Sequence, residues 1–389
     1  MKFEQIRDDE SKYMMNTFSR YETAIESGKG ATAKDINGKE YIDFTAGIGV
    51  NCLGFCDEGW VKAASAQLSK MQHISNLYYS PVQTECARQL CTRTGLDKVF
   101  FANSGAEANE CAIKLARKYS FDKYGENRNE IIALNNSFHG RTMATLSATG
   151  QAAFHQYFFP FSEGFVFADA NDAESVKAKI SEKTCAVMME LVQGEGGVMP
   201  LDKEFVLEVE RLCVKNDLVL IIDEVQTGIG RTGKLFCYEN YNINPDIVTS
   251  AKGLGGGLPF GACICGKRLS CVFQPGNHGS TFGGNPVACA GAIEILNRVD
   301  NREFLYSVAE KGEYIKKRLL EMNGVSAVRG MGLMIGVVLE KDNAKQAAAK
   351  CVENGLLILT AKNLLRLLPP LNITYEEIDK GLEILEKSI

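Results

Sequence analysis

The feature of this sequence that most constrains its fold is an apolar run at residues 218–222 that ends directly in Asp223 and Glu224. Such a short run, rich in β-branched residues and bounded by charge, is typical of a strand buried on both faces of a parallel sheet. A second run at residues 246–249 is followed by Lys252 and a glycine-rich stretch. Because open α/β sheets bind ligands beyond the carboxyl ends of their strands, we expect Asp223 and Lys252 to meet at a binding crevice. A carboxylate and an amine placed there can hold and react with a small molecule.

The same stretch has a competing interpretation as a phosphate-binding P-loop. Residues 228–234 follow the P-loop pattern, but Leu235 stands where the pattern requires Ser or Thr, so the hydroxyl that binds magnesium is missing. The following residues are interrupted by asparagines and Pro245, which does not favour the long helix whose N-terminus binds phosphates. We therefore expect a structural loop at 228–234 and keep a P-loop ATPase as an alternative.

The composition indicates an ordinary globular protein with enough material for a large core. The chain has 389 residues, of which 45% are hydrophobic and 23% are charged. Its net charge of −5 with interspersed signs argues against nucleic acid and anionic membrane as partners. No apolar run approaches the roughly 20 residues of a membrane span, and the acidic N-terminus argues against a secretory signal. The sequence therefore predicts a cytoplasmic protein.

The cysteines and histidines do not indicate a metal site or a disulfide framework. The 13 cysteines are spread along the chain without a paired C-x-x-C, and their number is odd. We interpret them as reduced core residues in a reducing compartment. None of the 4 histidines is spaced as a metal-binding pair on a helix, so no metal is predicted.

The pattern of elements predicts an α/β protein with a smaller second unit. Strands and helices alternate over residues 98–252, which indicates a large domain with a mainly parallel sheet. Residues 1–45 are interpreted as an N-terminal arm and a small hairpin element with its turn at Asn37-Gly38. We expect the large, ligand-binding domain at residues 46–299 and a small α+β C-terminal domain at residues 300–389.

Three further strands end in residues that suit a binding site. Residues 98–102 run into Asn103-Ser-Gly-Ala-Glu and a helix, whose free N–H groups form an anion site. The same residues also fit a plain helix cap made by Ser104 and Glu107. The strand at 130–134 leads to Phe138 and Arg141, a stacking face and a carboxylate clamp, although Arg141 could equally pair with an acidic neighbour. The strand at 185–191 carries Glu190 at its tip.

In this order, the strand-end motifs resemble those of the class III (ω-amino) aminotransferases, which use pyridoxal phosphate. The matching motifs are NSGAEANE, SFHGRT, QGEGG, DEVQTGIGRTGK, SAKGLGGG and GSTFGGNP, spread over most of residues 40–290. HISNLYY, KLARKY and SFHGRT look most like the members that act on N-acetylornithine. The resemblance implies transfer of its terminal amine to 2-oxoglutarate, in arginine biosynthesis. Ornithine, 4-aminobutyrate, succinylornithine and succinyl-diaminopimelate remain alternative donors, and a non-catalytic binding protein on the same scaffold remains an alternative function.

The resemblance also implies a fold-type-I homodimer with an active site shared between subunits, and it assigns roles around the cofactor. Lys252 binds pyridoxal phosphate covalently and then carries a proton between substrate and cofactor. Asp223 pairs with the pyridine nitrogen, and Gln226 bonds the phenolic oxygen. Phe138 stacks on one face of the ring, and Val225 packs on the other.

For the phosphate, the resemblance implies binding by Ser104, Gly105 and Ala106, completed by Thr281 of the other subunit, with Ser280 next to it contributing to substrate binding. The alternative for Thr281 is an ordinary loop cap.

For the substrates, the resemblance assigns a role to each of three charged residues. Arg141 clamps the α-carboxylate of the donor, and Arg366 binds the α-carboxylate of 2-oxoglutarate or glutamate. Glu190 covers Arg366 while the donor is bound, so that one site serves two substrates. The sequence departs from the family pattern at residues 53–58, where a histidine-rich segment is replaced, and we expect this loop to shape the entrance.

Overall fold

The computed structural model describes residues 2–389. Its strands are β1 (Ile25–Lys29), β2 (Thr32–Asp35), β3 (Glu40–Asp43), β4 (Lys98–Ala102), β5 (Glu130–Leu134), β6 (Phe165–Ala168), β7 (Thr184–Met189), β8 (Val192–Gln193), β9 (Met199–Pro200), β10 (Val219–Asp223), β11 (Ile247–Ser250), β12 (Gly261–Cys265), β13 (Val325–Met331), β14 (Met334–Leu339), β15 (Leu356–Leu357), β16 (Leu359–Ala361) and β17 (Leu364–Leu367).

The helices connect these strands and cover the sheets. They are α1 (Phe3–Tyr13), α2 (Ala46–Gly49), α3 (Glu58–Leu68), α4 (Pro81–Thr94), α5 (Gly105–Tyr124), α6 (Met143–Ser147), α7 (Ala173–Lys179), α8 (Lys203–Asn216), α9 (Tyr238–Tyr241), α10 (Pro286–Val299), α11 (Arg302–Leu320), α12 (Ala344–Glu353) and α13 (Tyr375–Glu386). Short 3-10 turns lie at Ala152–Phe154 and Lys252–Leu254. Within residues 2–389, no helix has the length and apolar character needed to cross a membrane.

The central sheet has seven strands in the order β4-β12-β11-β10-β7-β5-β6. All of its pairs are parallel except those of β12, which runs antiparallel to both β11 and β4. The predicted mainly parallel sheet and the α/β fold class are therefore confirmed. The register aligns Asp223 with Thr249, so Lys252, three residues later, follows the strand beside the one that ends in Asp223.

The strand that ends in Asp223 is buried on both of its faces, as its unbroken apolar sequence predicts. Leu220 and Ile222 belong to the large core on one face of the sheet, and Val219 and Ile221 belong to a second core on the other face. Alternate side chains of a strand point to opposite faces, so this division follows directly from the strand period. The central strand thus holds its polar end rigidly between two packed layers.

Two smaller sheets flank the central one. The N-terminal sheet has the order β1-β2-β3-β15, and the predicted hairpin is confirmed by the antiparallel pairing of β2 with β3. Its fourth strand, Leu356–Leu357, comes from the C-terminal part of the chain and pairs parallel with β3. The C-terminal sheet has the order β13-β14-β17-β16, and β8 pairs with β9 in a short hairpin. The domain boundaries after residues 45 and 299 stay a prediction.

Candidate active site

A cavity of about 460 Å³ opens at the carboxyl ends of the central strands. Its wall contains most of the residues that the sequence predicted for the site. These are Ser104, Gly105, Ala106, Phe138, Arg141, Glu190, Asp223, Val225, Gln226 and Lys252, together with the unpredicted Val50, Asn103, Asn109, His139, Gly140, Ala251, Gly257, Leu258, Pro259 and Phe260.

Asp223 is a buried acidic group on the wall of this cavity. Its Oδ1 accepts a hydrogen bond from the backbone N–H of Val225 at 3.0 Å. Its Oδ2 accepts one from Asn109 Nδ2 at 2.8 Å and lies 2.8 Å from Nδ1 of His139. These groups converge on the carboxylate at the end of β10 and stabilise a negative charge at one defined position. Asp223 can therefore serve as a fixed partner for a cationic or protonated ring nitrogen.

His139 and Asn109 are site residues that sequence reasoning missed. The Asn109 amide also donates to the carbonyl of His139 at 2.8 Å, so the two side chains and Asp223 form one closed network. Burial opposes protonation of His139, but the hydrogen bond and charge of Asp223 outweigh it and raise the pKa of His139, with a further contribution from Glu190. The only signal in the sequence was the position of His139 directly after Phe138 at a strand end.

Lys252 begins the 3-10 turn that follows β11, and its backbone has a left-handed φ of 44°. A lysine rarely adopts this conformation, which costs on the order of 1 kcal/mol or more and persists only where the surroundings impose it. Burial lowers the pKa of Lys252, and the charge of Arg366 lowers it further, against the opposing carboxylates of Asp223, Glu195 and Glu190. A lowered pKa makes the neutral, nucleophilic amine more available.

The N-terminus of α5 forms the end of the cavity predicted to bind an anion. Ser104 caps the helix by accepting from the N–H of Glu107 at 3.2 Å, and the Glu107 carboxylate accepts from the N–H of Asn103 at 2.8 Å. The alternative interpretation as a helix cap is thus confirmed for Ser104, while the N–H groups of Gly105 and Ala106 have no acceptor within the helix. A Cβ at Gly105 would lie 2.6 Å from Cγ1 of Val225, so glycine is required by this close approach.

Two aromatic rings and an arginine line the side of the cavity after β5. The Phe138 ring meets the Phe154 ring edge-on, with 5.8 Å between the ring centres. The backbone N–H of Phe138 donates to the Glu190 carboxylate at 3.0 Å. The guanidinium carbon of Arg141 lies 4.5 Å from the Phe154 ring and 5.6 Å from the Phe138 ring. Arg141 is exposed at the rim, where its cationic group can receive a carboxylate from solvent.

Arg366, on β17, is paired with a different carboxylate from the one that the resemblance assigned. Its side chain is only 3% exposed, and Nη1 lies 2.7 Å from Glu195 and 3.4 Å from the side-chain oxygen of Gln226. The assignment of Glu190 as the cover of Arg366 is therefore wrong in this structure, and Glu195 has that position. Both acids follow β7, but the loop between them turns so that Glu195 faces β17.

Glu190 faces the other side of the site, next to Asp223 and His139. It accepts from the N–H of Phe138 at 3.0 Å and from that of Gly194 at 3.4 Å. Burial, reinforced by the charge of Asp223, raises the pKa of Glu190. Glu190 thus anchors the Phe138 loop and is not available to Arg366.

Ser280 and Thr281 lie outside the cavity of their own chain. Ser280 Oγ accepts from Asn103 Nδ2 at 3.2 Å and from the N–H of Gly283 at 2.9 Å, which fixes the loop against the start of α5. Thr281 is exposed at the surface. This placement agrees with a residue that acts on another subunit, and the assigned roles of both residues stay predictions.

The glycine-rich loop 228–234 is a structural element. Ile229 and Arg231 are buried, and a Cβ at Gly230 would lie 2.6 Å from Val299. The helix that follows, α9, has only four residues. A segment packed into the core cannot surround a triphosphate, so the P-loop ATPase alternative is wrong and the predicted structural loop is confirmed.

The cavity fits pyridoxal phosphate, the cofactor implied by the resemblance. The cavity is lined by the Asp223 carboxylate, the Lys252 amine and the Phe138 ring. The N-terminus of the 20-residue helix α5 lines the same cavity. Gly105, where a side chain would collide with Val225, lies at the end of the cavity formed by the N-terminus of α5. The residues that the resemblance assigns to the cofactor therefore lie on the same wall, and their roles stay predictions: Asp223 for the ring nitrogen, Lys252 for the aldehyde carbon, Phe138 for the ring face, and Gly105 and Ala106 for the phosphate.

Comparison with known proteins agrees with this chemistry. The profile of the family "Aminotransferase class-III" matches residues 14–389. The chain is 48% identical to an acetylornithine aminotransferase of Haemophilus ducreyi over 99% of this chain and 98% of the relative. It is 44% identical to a succinylornithine transaminase of Photorhabdus laumondii over 97% of each chain. The ornithine aminotransferase of Toxoplasma gondii superposes with a TM-score of 0.95 at 30% identity, covering 100% of this chain and 95% of that one. With its cofactor-shaped cavity and a family match over nearly its whole length, the chain belongs to the class-III aminotransferases, which use pyridoxal phosphate.

Proposed function

We propose that the enzyme transfers the terminal amino group of N2-acetylornithine to 2-oxoglutarate, giving N-acetylglutamate 5-semialdehyde and glutamate, a step of arginine biosynthesis. The observation that carries the proposal is the Arg366–Glu195 pair, 2.7 Å apart, whose guanidinium also lies 3.4 Å from the side-chain oxygen of Gln226 on the cavity wall. A buried guanidinium whose carboxylate partner is itself partly exposed can exchange that partner for a substrate carboxylate. Among the relatives described above, identity is higher to the acetylornithine enzyme than to those named for succinylornithine and ornithine.

The chemistry divides between the cofactor and this chain's own residues. Bound pyridoxal phosphate supplies an electron-accepting ring next to the substrate carbon that loses its proton. Asp223, held by Asn109, His139 and the N–H of Val225, provides the negative charge beside the ring nitrogen. Lys252 would hold the cofactor through its Nζ, and as a free amine it would act as the base that moves a proton at the reacting substrate carbon. Its lowered pKa favours the neutral amine needed for both tasks.

Two arginines divide the recognition of the two substrates. Arg141, exposed at the rim, binds the α-carboxylate of the acylated donor, whose reacting amine lies at the other end of the molecule. Arg366 binds the α-carboxylate of 2-oxoglutarate or glutamate after Glu195 has moved away. While the donor is bound, the Glu195–Arg366 pair is closed, so the buried cation does not attract the wrong carboxylate.

The proposal includes a homodimer with shared active sites. Asn76 Nδ2 donates to the carbonyls of Ser280 and Gly283, each at 3.0 Å, which places the segment after Asn76 against the loop of Thr281. This surface exposes Leu77 by 87%, Tyr79 by 101% and Phe282 by 61% of their areas. Exposed apolar side chains grouped in this way mark a protein interface. We propose that a second copy covers them and that its Thr281 reaches the phosphate.

The cytoplasmic location predicted from the sequence is part of the same proposal. All 13 cysteines are free, and most of them are buried among apolar residues. Reduced thiols in this number are typical of proteins in a reducing compartment.

The proposed donor is tested by steady-state kinetics with 2-oxoglutarate as acceptor. The matched set of donors is N-acetylornithine, ornithine, succinylornithine, succinyl-diaminopimelate and 4-aminobutyrate. We expect kcat/KM to be highest for N-acetylornithine. A higher kcat/KM for free ornithine or for another member of the set would contradict the proposal.

A further inference from the structure

Arg231, in the glycine-rich loop after Asp223, is a buried cation that the reaction itself does not use. Its side chain is only 2% exposed and is among the largest fully buried side chains of the described residues. Its Nη1 donates to two backbone carbonyls, that of Leu333 at 3.0 Å and that of Pro369. The carbonyl of Arg231 in turn accepts from the N–H of Leu333 at 3.0 Å. Arg231 is thus hydrogen-bonded to Leu333 through both its side chain and its backbone carbonyl, and to Pro369 through its side chain alone.

The charge of Arg231 is held without a close ion pair. Burial lowers its pKa to about 10, opposed by Cys52 and Asp43. The Asp43 carboxylate is itself engaged with the N–H groups of Thr45 and Ala46, and its Oδ2 has no hydrogen-bond partner within residues 2–389. An unpaired buried charge costs several kcal/mol, whereas an apolar side chain of similar size would fill the same space at lower cost. The presence of a guanidinium at this buried position is therefore explained by its hydrogen bonds to the carbonyls of Leu333 and Pro369.

The two carbonyls held by Arg231 flank β17, which carries Arg366, and its neighbour β14. Leu333 precedes β14, in which Gly336 is the ladder partner of Arg366, and Pro369 lies three residues after Arg366. On its own side, Arg231 follows Gln226 in the loop that begins at Asp223, and Gln226 accepts from Arg366 at 3.4 Å. The Arg231 guanidinium therefore joins the loop that follows Asp223 to β14 and β17, the two strands paired at Arg366.

We propose that Arg231 is a positioning residue that sets the location of Arg366 relative to Asp223 and Lys252, and so determines the affinity for the five-carbon dicarboxylate. This inference rests on the proposed function, because it assigns Arg231 to the substrate that Arg366 binds. Glycine at 332 supports the same contact, since a Cβ there would lie 2.6 Å from the carbonyl oxygen of Arg231. The loop, β14 and β17 are thus packed too closely to move independently while Arg231 is in place.

The test compares Arg231→Met and Arg231→Lys with the wild-type holoenzyme. Methionine fills the space but donates no hydrogen bond. Lysine keeps the charge, but its ammonium nitrogen lies on a shorter side chain than the Arg231 Nη1 that donates to both carbonyls. We expect Arg231→Met to raise the KM for 2-oxoglutarate by about tenfold to a hundredfold, the size of effect that a misplaced binding group produces. The KM for the amino donor stays within about twofold, because Arg141 lies on a different loop. Arg231→Lys changes the same KM in the same direction by a smaller factor.

A second readout does not depend on activity. In the cofactor-free protein, amide hydrogen exchange of residues 333–339 and 364–371 is expected to be faster in both variants, with no change in residues 130–134 of the central sheet. Arg318→Met is the matched control, because it removes a guanidinium that binds Tyr314 and Asp379 on the C-terminal helices without touching β14 or β17.

The outcomes separate this inference from the proposed function. Wild-type enzyme that does not use 2-oxoglutarate would contradict the proposed function. Active wild type together with variants whose two KM values rise equally, or whose exchange at 333–339 and 364–371 is unchanged, would overturn the role of Arg231. If Arg231→Met does not fold, Arg231→Lys decides: an unchanged KM for 2-oxoglutarate overturns the inference, and a selective rise supports it.

Discussion

Removal of the negative charge of Glu195 is the perturbation that most directly tests how one site takes two substrates. Glu195→Gln keeps an oxygen that can accept from Arg366 but removes the carboxylate that now lies 2.7 Å from it. The α-carboxylate of 2-oxoglutarate must displace this partner before it can bind. The variant should therefore bind 2-oxoglutarate and glutamate more tightly than the wild type does.

The magnitude follows from the surroundings of the pair. Two unit charges about 4 Å apart attract by roughly 4 kcal/mol at an effective dielectric constant near 20. The Glu195 side chain is 32% exposed, so solvent screening reduces the net value to about 1–2 kcal/mol. That energy corresponds to a KM for 2-oxoglutarate lower by about fivefold to thirtyfold. In the free Glu195→Gln enzyme, Arg366 has no counter-charge, so the free energy of unfolding should also fall by about 1–2 kcal/mol.

The assay measures KM for 2-oxoglutarate, KM for N-acetylornithine and product inhibition by glutamate. We expect a lower KM for 2-oxoglutarate, stronger inhibition by glutamate and little change for the donor. The matched control is Glu376→Gln, which removes an exposed carboxylate 2.7 Å from Lys380 and should leave all three values unchanged. An unchanged or higher KM for 2-oxoglutarate in Glu195→Gln would refute the displacement of Glu195 by substrate.

Three further predictions concern the supports of the site. His139→Phe removes a charge-assisted hydrogen bond to Asp223 worth about 1.5–3 kcal/mol. Cofactor affinity, measured by titration of the apoprotein, should therefore fall about tenfold to a hundredfold. Unchanged affinity would contradict the role of the network formed by Asp223, His139 and Asn109. Burial raises the pKa of Glu224 to about 7, so the folded protein binds this proton more tightly than the unfolded chain and loses stability as pH rises from about 4.3 to about 7. Glu224→Gln should therefore gain up to about 3 kcal/mol relative to wild type between pH 5 and pH 8 in urea unfolding, and a constant difference would contradict this. Gly105→Ala places a Cβ 2.6 Å from Val225 and should lower the free energy of unfolding by about 1–3 kcal/mol, whereas an unaltered urea midpoint would show that the loop yields freely.

The centre of the site could be predicted because it follows directly from strand ends. Asp223 comes immediately after a buried run, and Lys252 follows the next run along the chain. Parallel neighbouring strands end at the same edge of a sheet, so two local patterns are enough to bring these residues together. The same reasoning correctly placed Ser104, Phe138 and Glu190 on the cavity wall.

The partner of Arg366 could not be predicted in this way. Glu190 and Glu195 both follow β7, and only the turn of the loop between them decides which one faces β17. A signal was present in the sequence, since Glu195 is a charged residue enclosed by glycines, where backbone conformation is freest. The role of His139 was hidden for a similar reason, because its partner Asp223 is distant in the chain.

Pairings between remote segments were also beyond the sequence. Leu356–Leu357 is too short to show a period, yet it completes the N-terminal sheet beside β3. The edge strand Phe165–Ala168 follows a long irregular segment and was not predicted either. Arg231 was misleading in another way: its motif suggested phosphate binding, but its side chain is buried in a packed core.

Covalent attachment of the cofactor to Lys252, at a site anchored by Asp223, underlies all of the proposed chemistry. It is tested most directly by treating the holoenzyme with borohydride, which makes a lysine-bound aldehyde adduct permanent, followed by peptide mass spectrometry. We expect a single pyridoxyl adduct, on the peptide that contains Lys252, and its loss in Lys252→Ala. An adduct on another lysine would show that Lys252 does not hold the cofactor. No adduct in a protein incubated with excess pyridoxal phosphate would favour a non-catalytic binding protein on the same scaffold.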